Sequence, residues 1–215
     1  MGDAAGEVRG TVFWLACFAA AMGFAEAAVV VYLREFYYPL GFCFPLKALP
    51  ARLLAVETLR EAATLVMLAG AAALSGRDLP RRLAAFLFCF GVWDLFYYAF
   101  LKLLLGWPAS PLTWDLLFLI PVPWAGPVLA PVICSLTMIL LAACVERLRA
   151  AGRPALPRRW ELALLLAGAA LVLYTFVRDY GGLLAAVVPA AYAWPVFLLG
   201  ELLALAGIAL FCRRR

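Results

Sequence analysis

Apolar runs of about 20 residues recur along this chain, separated only by short polar turns. That feature leaves little choice of fold. Each run is continuously apolar rather than alternating, so it reads as a membrane-spanning helix and not as a strand of a membrane β-barrel. Charged residues make up 14% of the 215-residue chain and mean hydropathy is +0.99. Soluble domains carry about 25% charged residues, and this chain has too few to cover a water-facing surface. The fold class that follows is all-α: a polytopic transmembrane helical bundle of about six spans. No polar stretch is long enough to build a separate soluble core, so residues 1–215 read as a single integral membrane domain.

The spans expected from the sequence are Thr11–Leu33, Ala51–Leu74, Leu83–Leu105, Val128–Val145, Trp160–Val177 and Leu183–Phe211. The last is expected to kink near Pro189 and Pro195. Between the third and fourth spans, the segment near 116–127 is apolar but holds Pro121, Pro123 and Pro127. That proline density forbids one regular helix. A half-helix or re-entrant piece is expected there, covered by protein because bare backbone is not tolerated in lipid. The first run holds Glu26 and lacks a small-residue cleavage site, so it reads as a retained helix rather than a removed signal peptide.

Lys and Arg are distributed unevenly. With both termini on one side, that side carries 12 of them and the other side five, with Arg60 inside a span. The positive-inside bias places both termini in the cytoplasm, and the terminal Arg213–Arg215 acts as an anchor of that orientation. The net charge of +5 is scattered over helix ends and does not form a nucleic-acid footprint. Five of the six cysteines lie in apolar segments, and the set does not read as a disulfide framework. The chain has no histidine, which rules out His-ligated haem, copper or zinc, while a hard cation is allowed.

The chemistry lies in polar residues within the spans. Glu57, Arg60 and Glu61 fall within five residues of the second span. Insertion scales assign about 2.5–3.5 kcal/mol to each Asp, Lys or Arg near the bilayer centre. Such groups persist where they face protein or water and find partners. Glu26 in the first span and Asp94, Tyr98 and Lys102 in the third lie in the same, non-cytoplasmic half, with Asp115 following on that side. Glu57 and Glu61 share a helix face, and Arg60 is placed to neutralise one carboxylate. The acids outnumber the bases, so the surplus must be protonated, hydrated or bound to a cation. Pro121, Pro123, Trp124 and Pro127 form a candidate gate over this pocket or a docking loop. Glu201 reads as an isolated packing contact in the last span.

Three functions fit these residues. The first is binding or transport of a hard cation or proton at the acidic site, since oxygen ligands suit hard ions. The second is a non-catalytic accessory subunit of a larger membrane complex, docking through the aromatic loop Phe36–Phe44 and the proline-rich turn. The third is an intramembrane enzyme acting on a lipid-linked substrate, with Arg60 and Lys102 holding a phosphate. No catalytic signature supports the third, and catalytic residues are not identifiable. Expected partners are membrane lipids, with room for a homo-oligomer or a larger complex and no nucleic acid. The overall pattern resembles small bacterial inner-membrane proteins, which implies multi-pass insertion in a cell inner membrane.

Overall fold

Helix ends in this protein are set by proline, glycine and a few polar caps. The computed structural model describes residues 2–44, 47, 49–185, 187 and 191–213, the side chains of 2–5, 7 and 8 excepted. Six long helices dominate: α1 (Gly2–Tyr37), α2 (Ala51–Ser75), α3 (Leu79–Leu105), α4 (Leu129–Ala150), α5 (Arg159–Val177) and, after a short turn of helix α6 (Tyr180–Leu184), α7 (Trp194–Cys212). All of these long helices but α2 supply a stretch long and apolar enough to cross a membrane, and the stretch of α5 runs on through α6; the chain is a multi-pass membrane protein. The 25 residues of α2 give about 37 Å at 1.5 Å per residue, enough for a sixth span. Its charges are what separate it from the others.

Asp78 caps α3 by accepting the Arg81 N–H at 3.0 Å, with Pro80 in the first turn. Gly106 ends the helix in the left-handed conformation, at φ 65°, donating its N–H to the Lys102 carbonyl. Arg149 at the end of α4 reaches back to Asp78 at 2.5 Å. The Arg81 N–H and the Arg149 guanidinium hold the Asp78 carboxyl below the usual carboxylate range. A depressed folded-state pKa stabilises the fold above the unfolded value near pH 4. That contribution is lost as pH falls through the folded-state value. Asp78→Asn retains a capping oxygen but removes the charge. Thermal melts should therefore show wild type above the variant at neutral pH, and the two converging as pH drops below about 4.

The segment after α3 corrects the half-helix expectation. It is a short antiparallel hairpin of β1 (Trp114–Phe118) and β2 (Trp124–Pro127), paired from Trp114 opposite Pro127 to Phe118 opposite Trp124, with a bulge between Leu116 and Phe118. Proline lacks the N–H that a helix needs, but an edge strand or turn tolerates it. The last expected span is also corrected. It is broken into α6 and α7 rather than kinked: Pro195 sits in the first turn of α7, where proline is welcome, and Pro189 lies outside the described residues.

Packing divides the helices into two groups. α3 lies against α1, α2 and α4, whereas α5 pairs with α7, and α4 joins the groups by packing on both α3 and α7. The α5–α7 crossing is close because glycine lies on both sides. A Cβ added at Gly168 would fall 2.6 Å from the Gly200 carbonyl oxygen, and one at Gly200 would fall 2.8 Å from the Gly168 oxygen. Such small-residue seams let membrane helices gain van der Waals contact. Where α4 and α7 end together, Cys144 and Cys212 form a disulfide, a single pair that their positions in apolar segments did not announce, while Cys17, Cys43, Cys89 and Cys134 are free. The bonded two are 68 residues apart, and only the packing of these helix ends inside one apolar cluster makes them neighbours.

Candidate functional site

The bundle encloses a cavity of about 1110 Å³ lined by residues of α1–α5 and α7 and by the hairpin. α2 and α5 both line it. One end has apolar walls, including Leu83 and Leu87 of α3, Leu162 and Leu165 of α5, and Phe211 of α7. The other end gathers Glu26, Arg34, Glu57, Arg60, Glu61, Asp94, Tyr98 and Asp115. A large apolar pocket with a few converging polar groups is the usual form of a binding site.

The polar residues fall into separate arrangements along this end. The first is a clasp. Arg60 donates to Glu57 at 2.8 Å, three residues back on α2, and to Glu26 across on α1. One guanidinium thus bridges two carboxylates from two helices that barely touch through their backbones. The second joins α2 to the hairpin: Glu61 accepts the Leu119 N–H at 2.8 Å. Leu119 follows β1, so the carboxylate satisfies backbone that would otherwise be bare at the hairpin tip. In the third, Ser135 of α4 donates its hydroxyl to Asp94 of α3 at 2.7 Å.

The fourth arrangement is at the end of α1. Arg34 pairs with Asp115 at 3.2 Å, and the Tyr98 hydroxyl donates to the other oxygen of Asp115 at 3.3 Å. Asp115 is 2% exposed and Arg34 7%. The guanidinium carbon also lies 3.8 Å from the Trp107 ring and 4.5 Å from that of Phe42. Arg34 is therefore a core residue of the site, although by sequence it belongs to the outer loop. Its basic–aromatic neighbourhood was the only signal, and that signal fits a membrane interface equally well. Ser135 was also invisible in advance, since one serine in an apolar span carries no pattern.

Lys102 is corrected: it does not line the cavity, and its ammonium donates to the carbonyls of Gly106 and Pro108 at 3.0 and 2.9 Å. A lysine in the last turn of a helix is well placed for free carbonyls. With Arg60 held by two carboxylates as well, the expected Arg60–Lys102 phosphate grip does not form. The proline-rich segment divides. Pro123 and Trp124 line the cavity, Pro127 is fully buried opposite Trp114, and Pro121 is exposed in the turn. Trp124 stacks on Phe176 of α5, ring centroids 6.4 Å apart. The aromatic loop folds back: Phe42 meets Trp107 and Phe44 meets Trp114, which leaves Phe36 and Leu40 as its strongly exposed apolar residues. Glu201 has two partners on α4, accepting from Thr137 at 2.7 Å and Cys134 at 3.4 Å.

The acids thus line one cavity without forming one cluster. Among the described residues, no three Asp, Glu or Cys side chains converge as ligands for a metal ion. Comparison of the chain with protein families, with characterised proteins and with solved structures finds no match.

Proposed function

We propose that the protein is a small membrane carrier that takes up and releases protons at Glu61 and Asp94. The supporting observation is the contrast among its carboxylates. Glu26, Glu57 and Asp115 are each ion-paired with an arginine. Glu61 and Asp94 line the same cavity but are held by neutral donors, the Leu119 N–H and the Ser135 hydroxyl. A proton can come and go at these two without breaking an ion pair, and ionisable groups inside membranes commonly mark proton paths. Glu61 adds a link to movement. It holds the hairpin tip, so a change in its hydrogen bond is felt by the Pro123–Trp124 wall of the cavity. The hairpin then acts as the gate. A proton is favoured over a multidentate hard cation because carboxylates do not converge around one point. The excess of Lys and Arg on the side of both termini supports insertion in a bacterial inner membrane with those termini cytoplasmic.

The test uses the full chain in liposomes with an internal pH-sensitive dye and an imposed pH gradient. Wild type should dissipate the gradient, and Glu61→Gln should slow that flux at least tenfold while remaining folded. Equal rates in protein-containing and protein-free vesicles would remove the proposal.

A further inference from the structure

The cavity carries more acid than base. Six acids line it against three bases, Arg34, Lys47 and Arg60. Arg60 is taken by Glu26 and Glu57, and Arg34 by Asp115. Among the described residues, Glu61, Asp94 and Glu201 have no ion pair. Their partners are neutral: the Leu119 N–H, the Ser135 hydroxyl, and the Thr137 hydroxyl with the Cys134 thiol. A carboxylate in so apolar a setting needs a proton or a countercharge. Aromatic residues accompany two of the three. Trp93 precedes Asp94, and Leu119, whose N–H Glu61 accepts, follows Phe118. Phe90, Trp93, Phe118, Trp124 and Phe176 line the cavity as a continuous run of rings, with neighbouring centroids 5.1, 6.2, 5.7 and 6.4 Å apart.

We propose that the cavity binds a bulky monovalent organic cation, an alkyl- or aryl-substituted ammonium ion, at Glu61 and Asp94 and against this run of rings. Charge complementarity chooses the sign, since the lining is acidic overall and its arginines are already paired. Aromatic rings attract cations, tryptophan most strongly, and rings are the usual means of recognising quaternary ammonium groups. Dispersed carboxylates suit such an ion better than a metal. A calcium ion takes about six to eight oxygens in direct contact, whereas the acids among the described residues do not converge on one point. An organic cation spreads its charge over a large surface and needs only one carboxylate within reach. Size agrees as well: the cavity, at about 1110 Å³, is as large as the upper end of the range of about 300–1,000 Å³ found for pockets that hold drug-sized ligands. The leucine-lined walls supplied by α3 and α5 take up the apolar body of the ion. The inference rests on the reading of this cavity as the working site, and names its cargo.

Purified full-length protein in a nonionic detergent is dialysed to equilibrium against three probes, with protein-free micelles as the blank. Tetraphenylphosphonium is a bulky apolar cation, tetraphenylborate has nearly the same shape with the opposite charge, and tetramethylammonium is a cation without the apolar body. Tetraphenylphosphonium should bind saturably and at least tenfold more tightly than either of the others. The double variant Glu61→Gln, Asp94→Asn keeps hydrogen-bonding oxygens but removes both charges, and should weaken tetraphenylphosphonium at least tenfold. Trp93→Leu keeps an apolar side chain but removes a ring, and should weaken it several-fold. No saturable binding of tetraphenylphosphonium, equal binding of tetraphenylborate or of tetramethylammonium, or wild-type affinity in either folded variant overturns the inference. Selectivity for charge and size is read on the wild type, so the test does not depend on the variants folding. The measurement involves no pH gradient. Flux without binding therefore removes this inference alone, and binding without flux removes the proton proposal alone.

Discussion

Arg60→Met should be among the most damaging single substitutions in this protein, at a cost of about 3–5 kcal/mol, the range for removing one partner of a buried ion pair. The side chain of Arg60 is 22% exposed, and those of Glu26 and Glu57 are 14% and 7%. Removing the guanidinium leaves two carboxylates facing each other with no countercharge, and α2 loses its polar tie to α1. The loss should appear as a lower melting temperature and poor recovery from detergent. The physical cause is testable by compensation. A triple variant, Glu26→Gln, Glu57→Gln and Arg60→Met, carries no charge at the clasp and should regain much of the stability, because replacing a whole buried ionic group by neutral residues is often nearly neutral. If Arg60→Met melts like wild type, the clasp is not what holds α2.

The second large effect belongs to Gly168→Val. The new Cβ would meet backbone, 2.6 Å from the Gly200 oxygen and 2.8 Å from the Ala204 nitrogen. Backbone atoms of a helix cannot swing aside as a flexible side chain can, so α5 and α7 must separate along their whole crossing. Overpacking a core costs about 1–3 kcal/mol, and this site should fall at or above the top of that range. Denaturant titration in mixed micelles measures it. Gly70→Ala on α2 is the internal control. Nothing lies within 4 Å of its added Cβ, so helix propensity alone should stabilise α2 by up to about 1 kcal/mol. Similar behaviour of the two variants would contradict the close crossing.

Much of the bundle was legible from sequence because lipid leaves the backbone few options. Apolar length located the helices, and the starts of α2 and α5 fall within a residue of expectation. The proline-rich segment was legible as something other than a regular helix, but not as a hairpin, since strand pairing depends on a partner that spacing does not reveal. Its position against Phe176 and Tyr192 depends on Gly126, where an added Cβ would come within 3.1 Å of Phe176. In the site, helical spacing placed Arg60 to neutralise one carboxylate without choosing which, and the structure pairs it with Glu57 on its own helix. Spacing could not pair Arg60 with Glu26, 34 residues away, or Arg34 with Asp115, 81 residues away. Lys102 misled for the opposite reason: its partners are carbonyls just beyond its own helix, a local interaction that charge counting overlooks.

The bridge from Arg60 to Glu26 also sets an order on biogenesis. A nascent α2 leaving the translocon alone would enter lipid with four charged side chains, Arg52, Glu57, Arg60 and Glu61, each unfavourable there. With α1 already lodged alongside, Glu26 is on hand to take Arg60, and partition into the bilayer becomes a joint event rather than a solitary one. Synthesis from the amino terminus presents the two helices in that sequence, so the first span serves as insertion partner to the second.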